Sequence, residues 1–242
     1  MRGRPPRLGP ALYGCAMQRF QPILMVMTIL SWLMLPAAAL AQQTATPPEA
    51  GETLQIVAFG DSLSAGYGVG PGESFPEQLQ AALREAGHDV SVANAGVSGD
   101  TTSGGLARLE WSVPQEADLV IVELGANDAL RGISPEITER NLDQILAKLQ
   151  ARDQTALLAG MMAPPNMGPD YAAEFDGIYQ RLADKYDVAF YPFFLDGVAA
   201  EPALNQDDGM HPNPEGVAVI VERILPAVTK ALDAISAKRE TG

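Results

Sequence analysis

From Thr53 onward, short apolar runs rich in β-branched and aromatic residues alternate with longer stretches whose apolar positions recur at helical spacing. The runs Leu54 to Phe59, Val90 to Ala93, Leu119 to Leu124, Ala156 to Gly160 and Val188 to Tyr191 read as strands. Phe75 to Ala86, Thr102 to Leu109, Pro135 to Ala151 and Tyr171 to Lys185 read as the helices between them, and a last helix runs from Pro214 to about Ser236. Pro135 and Pro214 suit a first helical turn, where a missing N–H costs nothing. Such alternation predicts an α/β fold: a single doubly wound domain whose five-stranded parallel sheet carries helices on both faces. Sheets of this kind place ligands at the carboxyl ends of their strands.

Upstream of Thr53 the pattern changes. Arg2, Arg4, Arg7 and Arg19 give a positive start without acids, Ile23 to Leu35 is an apolar core, and Ala39-Leu40-Ala41 has the small-x-small form of a cleavage site. Residues 1–41 therefore read as a signal peptide cleaved after Ala41, with the periplasm or the medium as destination. An uncleaved anchor is the alternative, because the 20 residues from Pro22 to Ala41 could span a bilayer. Met17 could equally be the start, since Arg19 still precedes the apolar run. Residues 42–52 (QQTATPPEAGE) read as a flexible leader and 53–242 as the domain. Cys15 precedes the apolar run instead of following it, which disfavours lipidation. No stable membrane anchor is expected after cleavage.

Composition narrows the function classes. The 242 residues are 47% hydrophobic, enough for one well-buried domain. A formal charge of −14 repels nucleic-acid phosphates, and no basic cluster outside the first 20 residues offsets it. Loss of residues 1–41 removes four of the 16 basic residues, leaves 30 acidic ones and brings the net charge to −18. Cys15, the single cysteine, goes with that segment, so a disulfide and a thiol nucleophile are both excluded. With two histidines, a His-rich metal site cannot be built, and a histidine base must be His88 or His211.

Polar motifs fall on four of the expected loops. Phe59-Gly60-Asp61-Ser62-Leu63-Ser64 follows the first strand, Asn94-Ala95-Gly96-Val97-Ser98-Gly99-Asp100 the second, and Gly125-Ala126-Asn127-Asp128 the third; Asp208-Gly209-Met210-His211-Pro212 precedes the last helix. In this order the four motifs resemble the four blocks of the SGNH, or GDSL, hydrolase superfamily, and the stretches IVAFGDSLSAGYGV, NAGVSGDTTSGGLARL, VIVELGANDALRG, APPNMGPDY and QDDGMHPNPEG resemble most closely its bacterial arylesterases and multifunctional thioesterase/lysophospholipases. The resemblance spans about Leu54 to Leu232. It implies a flavodoxin-like sheet, Ser62 as nucleophile, Asp208 and His211 as its triad partners, and an oxyanion hole from Ser62, Gly99 and Asn127.

The residue types fit that chemistry. A serine hydroxyl is a weak nucleophile near neutral pH until a base takes its proton. Neutral His211 can be that base if an acceptor fixes its tautomer, and Asp208, three residues upstream across Gly209, can reach it through one tight turn. Activity should then fall as the imidazole is protonated. The backbone N–H groups of Ser62 and Gly99 and the Asn127 amide supply neutral donors, and glycine at 99 lets a backbone amide approach unobstructed.

Each residue also has a plainer role open to it. Ser62 could cap a helix, Gly99 could be a turn glycine, Asn127 and Asp128 could cap the segment after them, and His211 could be an exposed loop residue, as His88 is read to be. The glycines at 66, 68, 70 and 72 lack the Lys-Ser/Thr of a phosphate loop and read as a mobile loop near the site. Ser64 stands where a nucleophile elbow of the α/β-hydrolase type requires glycine. Asp61, Asp100, Asp128 and Asp207 read as loop braces, not as a cation cluster, so neither metal nor cofactor is expected. Met161, Met162, Pro164 and Met167 could line an adaptable acyl or aryl pocket, or simply pack their loop. The expected activity is hydrolysis of small-molecule acyl and aryl esters, thioesters and lysophospholipids through an acyl-enzyme on Ser62, with carbohydrate O-deacetylation and a non-catalytic acyl-binding module as alternatives.

Overall fold

The computed structural model describes residues 53–241; the expected signal peptide and leader lie outside the described residues. All five expected strands form: β1 (Leu54–Gly60), β2 (Val90–Asn94), β3 (Leu119–Glu123), β4 (Thr155–Ala159) and β5 (Ala189–Tyr191). They make one sheet in the order β2-β1-β3-β4-β5, parallel at each pairing. This is the flavodoxin-like doubly wound order. The register sets Gly60 beside Glu123, and Glu123 beside Ala159, so the carboxyl ends form one rim.

Helix α2 (Phe75–Glu85) packs against α7 (Pro214–Thr241), while α3 (Thr102–Ser112) and α6 (Pro169–Tyr186) both pack against α5 (Pro135–Gln150). Burial on both faces explains why β3, Leu-Val-Ile-Val-Glu, shows no polar alternation: all its residues are buried. Phe59, Leu119, Ile121, Phe175 and Phe194 are among the largest fully buried side chains. Among the described residues no helix is long and apolar enough to cross a membrane.

The expected boundaries shift by a residue or two at most ends. Helix α6 begins at Pro169, two residues before the expected Tyr171, because proline fits a first turn as well there as at Pro135. Helix α7 runs to Thr241, past the expected Ser236, and passes through Pro226. Two short helices had no counterpart among the expected elements: α1 (Ser62–Ala65) directly after β1, and α4 (Ala126–Leu130) just beyond β3. With 4 and 5 residues, they are too short for a 3.6-residue period to register. They occupy two of the motif loops.

Gly125, which leads into α4, has φ +119°, and a β-carbon there would come 2.1 Å from Tyr179 Oη. That hydroxyl is buried and donates to the Leu124 carbonyl at 3.0 Å. The turn after β3 thus rests on the tyrosine. Gly125→Ala should cost about 1–3 kcal/mol for the backbone alone and lower Tm by about 5 °C or more once the displaced ring is included. Tyr179→Phe should cost about 1 kcal/mol for its hydrogen bond. Thermal melts of both single variants and the double should show a double loss smaller than the sum, because phenylalanine removes the clashing oxygen.

Candidate active site

Ser62 is the first residue of α1, and the plainer reading of it as a cap is corrected: the cap is Asp61, whose Oδ1 accepts from the Leu63 N–H at 3.0 Å. Asn127 and Asp128 likewise do not cap the helix after β3. Both lie inside α4, whose cap position is held by Gly125.

Between β5 and α7 a tight turn carries Asp208 and His211. The Gly209 N–H donates to Gln206 O at 2.9 Å, the Gln206 N–H donates to His211 O at 2.8 Å, and Gly209 takes φ +67°. Asp208 Oδ1 accepts the N–H groups of Met210 and His211 at 2.9 and 3.0 Å. Its Oδ2 lies 2.6 Å from His211 Nδ1, and His211 Nε2 lies 3.0 Å from Ser62 Oγ. Since an ionised carboxylate only accepts, Nδ1 carries the proton and Nε2 turns a lone pair toward the serine. Backbone and side-chain hydrogen bonds from His211, with the Met210 N–H, hold Asp208 down at about 2, so it stays charged. His88 is at the opposite end of the sheet, in the turn that leads into β2.

Gly99 and Asn127 sit on the loops that follow β2 and β3, the neighbours of β1 in the sheet. Gly99 has φ +79°, yet the nearest atom to an added β-carbon is Arg131 Nη2 at 3.6 Å. Glycine is therefore required there by backbone conformation more than by crowding. Arg131 donates to the Gly99 carbonyl at 2.7 Å. The Asn127 amide nitrogen donates one N–H to Asp61 Oδ2 at 2.9 Å, which leaves its second N–H for a ligand.

Several residues that hold this constellation were not among the candidates. Arg108, on α3 and largely buried, donates to Gly60 O and Ala95 O, both at 2.8 Å, and to Asp100 Oδ2 at 2.6 Å, with its guanidinium 4.2 Å above the Phe59 ring. It clamps the second motif loop onto the end of β1. Gln206 donates to Tyr67 O at 2.7 Å and Pro212 O at 2.9 Å, tying the glycine-rich loop to the histidine turn. That loop, expected to be mobile, is thus pinned at Tyr67, whose ring sits 4.6 Å from the imidazole. The signals were present in the sequence as single polar residues, Arg108 and Gln206, next to motif glycines and apolar positions. Without a spacing rule they could not be told from surface residues.

The acids are accounted for one by one. Asp100 pairs with Arg108, Asp128 accepts from Thr102 N and Oγ1 at 2.8 and 2.5 Å, Asp61 is engaged as above, and Asp207 is exposed. Among the described residues no group of acids, cysteines and histidines has the form of a metal site. Burial lifts Asp61 to about 6; hydrogen bonds from Leu63 and Asn127 and the nearby His211 pull it down, and Asp100 pushes it up.

Of the four residues that could line a pocket or pack their loop, Met161 is in the core at 2% exposure, because it continues the buried end of β4. Met162 is exposed, Pro164 and Met167 are half-buried, and Met167 lies near Gly132 beyond α4. The crevice at Ser62 and His211 is instead lined by Tyr67, Val69, Pro212 and Val217, and its volume of about 10 Å³ holds no more than a water molecule.

Comparison with known proteins identifies the family of the chain. Residues 58–219 match the GDSL-like lipase/acylhydrolase family. An arylesterase of Vibrio mimicus is 41% identical over 179 residues, 74% of this chain and 90% of its own length. Thioesterase 1/protease 1/lysophospholipase L1 of Escherichia coli is 41% identical over 174 residues, 72% of this chain and 81% of its own. The crystal structure of AlinE4, an SGNH-hydrolase family esterase, is 52% identical, covers 75% of this chain and 98% of its own, and superposes with a TM-score of 0.64.

The raised value of Asp61 has a thermodynamic consequence. The folded protein binds this proton more tightly than the unfolded chain, whose ordinary value is 3.8, so the contribution is complete below pH 3.8 and is lost as pH rises through about 6. Tm should therefore increase from pH 7.5 down to 5.5. Asp208 opposes this only at pH values below 3.8, its own unfolded value. Asp61→Asn should flatten the Tm-versus-pH slope in that window; an unchanged slope would assign it to other acids.

Proposed function

The chain belongs to the GDSL-like lipase/acylhydrolase family, and on that premise we propose that it is an exported serine esterase that hydrolyses acyl and aryl esters and thioesters through an acyl-enzyme on Ser62. The observation that carries the proposal is the continuous chain from Ser62 Oγ to His211 Nε2 at 3.0 Å and from Nδ1 to Asp208 at 2.6 Å. In this cycle His211 Nε2 takes the Ser62 proton as Oγ attacks the acyl carbonyl carbon. Asp208 balances the imidazolium, and the N–H groups of Ser62, Gly99 and Asn127 receive the oxyanion. Collapse of the tetrahedral adduct breaks the bond to the alkoxide or thiolate, which leaves with the proton from Nε2. Water then enters along the same path and gives a proton to His211 as it attacks the acyl carbon; collapse breaks the bond to Ser62 Oγ, which takes the proton from Nε2 as the carboxylic acid leaves.

The rim supports broad rather than narrow selection. Tyr67, Val97, Leu130, Met162 and Met210 are the large apolar side chains exposed near the motif loops. On this reading an acyl chain lies across these exposed side chains. Such a surface accommodates chains of different length and tolerates aryl, alkyl and thiol leaving groups. Lysophospholipids fall within the same class. The relatives named arylesterase and thioesterase/lysophospholipase agree with it. Export rests on the basic start, apolar run and Ala-Leu-Ala of residues 1–41.

A fluorophosphonate probe should label the purified wild type and fail on Ser62→Ala; a folded wild type that resists labelling would indicate a binding module. Asn127→Ala should lower kcat by ~10²–10³ with little change in KM. A panel of aryl esters from acetyl to lauroyl, with matched thioesters and acetylated glycans, should show activity spread across chain length and leaving group. Turnover of acetylated glycans alone would replace this reading with a deacetylase.

A further inference from the structure

Glu123, the last residue of β3, is the one carboxylic acid in an otherwise apolar strand, and it is completely buried. Its carboxyl group lies over Gly60: a β-carbon at that position would come 2.3 Å from Glu123 Oε2. Oε2 accepts two hydrogen bonds, from the Asp61 N–H at 3.2 Å and from Ser64 Oγ at 2.7 Å. Oε1 has no hydrogen-bond partner among the described residues. Burial and the neighbouring Asp61 both push Glu123 well above the usual carboxyl range.

A buried acid with one oxygen unpaired is costly to keep in a core strand. Its bonds show what it secures. Asp61, the residue before the proposed nucleophile, is gripped twice by the segment that ends β3: Glu123 takes its backbone N–H, and Asn127, four residues further on, donates to its Oδ2 at 2.9 Å. The second contact of Glu123, to Ser64, fixes the first turn of α1 from below.

We propose that Glu123 is a positioning residue of the reaction: by holding the Asp61 N–H and the Ser64 hydroxyl it fixes Asp61, and through Asp61 it sets the Asn127 amide relative to Ser62 Oγ. This deepens the reading of Asn127 as an oxyanion donor and rests on it. The role needs an acceptor at Oε2 and no charge. Glutamine supplies that acceptor at the same place, and leucine supplies volume without it.

The test is a double-variant cycle on kcat and KM with an aryl ester, after fluorophosphonate labelling of the wild type and the kcat loss in Asn127→Ala have established the parent reading. Glu123→Leu should lower kcat by ~10–100-fold, the usual penalty for displacing a catalytic group by a fraction of an ångström to an ångström, with KM nearly unchanged. Glu123→Gln should restore most of it. In the Asn127→Ala background the same Glu123→Leu substitution should cost little further kcat, although its effect on Tm should be the same in both backgrounds. Equal kcat losses in the two backgrounds would make Glu123 merely structural, and a Glu123→Leu variant with wild-type kcat would remove it from the reaction altogether. Should Glu123→Leu fail to fold, Ser64→Ala removes one of the two bonds to Oε2 and is run through the same cycle. There the proposal requires a smaller kcat loss that again vanishes without Asn127, and a loss that persists overturns it.

Discussion

On the proposed reading an acyl carbonyl must meet a hydroxyl, an imidazole and several N–H groups within tenths of an ångström, and the candidate groups lie on four separate segments of the chain. The constraint that makes this possible is the register of β2, β1 and β3, which puts three of those loops on adjacent strand ends. Register alone fixes only where the loops begin. Buried polar side chains do the rest: Arg108 bonds the second loop to Gly60 and Ala95, and Asp61 joins the first to Asn127 on the third. Each is multiply bonded, so none can turn without breaking more than one hydrogen bond.

Three acids near the site show how environment divides their roles. Asp208, on a partly exposed turn with two backbone N–H donors, is held at about 2 and stays ionised across any working pH. Asp61 is buried, shares its oxygens between one backbone donor and one amide, and rises to about 6. Glu123 is deeper still, next to Asp61, and is pushed well above the usual carboxyl range by burial and by that neighbour. Burial thus raises the two acids beneath the Ser62 turn, while hydrogen bonding lowers the one beside His211.

Much of this was legible in the sequence because the relevant signals are local or periodic. Five apolar runs, each bounded by turn residues, marked the strands to within about two residues, and three of the four motif loops fell at strand ends where a doubly wound sheet binds ligands. The convergence of Ser62 with His211, 149 residues apart, was legible only through the resemblance, since no spacing rule links them. Helices α1 and α4 escaped because a period needs more than one turn to show. Arg108, Glu123 and Gln206 escaped because their meaning lies in which carbonyls and N–H groups they reach. Glu123 did leave a trace: an acid closing the run Leu119-Val120-Ile121-Val122 breaks the pattern of a doubly covered strand. Met161 misled for the opposite reason. A methionine next to a strand end reads equally as pocket lining or as core, and burial decides.

The electrostatics of the whole molecule bear on the last step of the proposed cycle. Hydrolysis turns a neutral ester into a carboxylate, and the chain carries a formal charge of −14. The donors assigned to the oxyanion are neutral N–H groups, while the nearby guanidinium of Arg131 is engaged with the Gly99 carbonyl at 2.7 Å. Neutral donors stabilise a charge that forms and collapses at one carbonyl, where they are oriented for it. The surrounding negative field then works against retention of the product. On the proposed reading, that field favours release of the carboxylate over product inhibition.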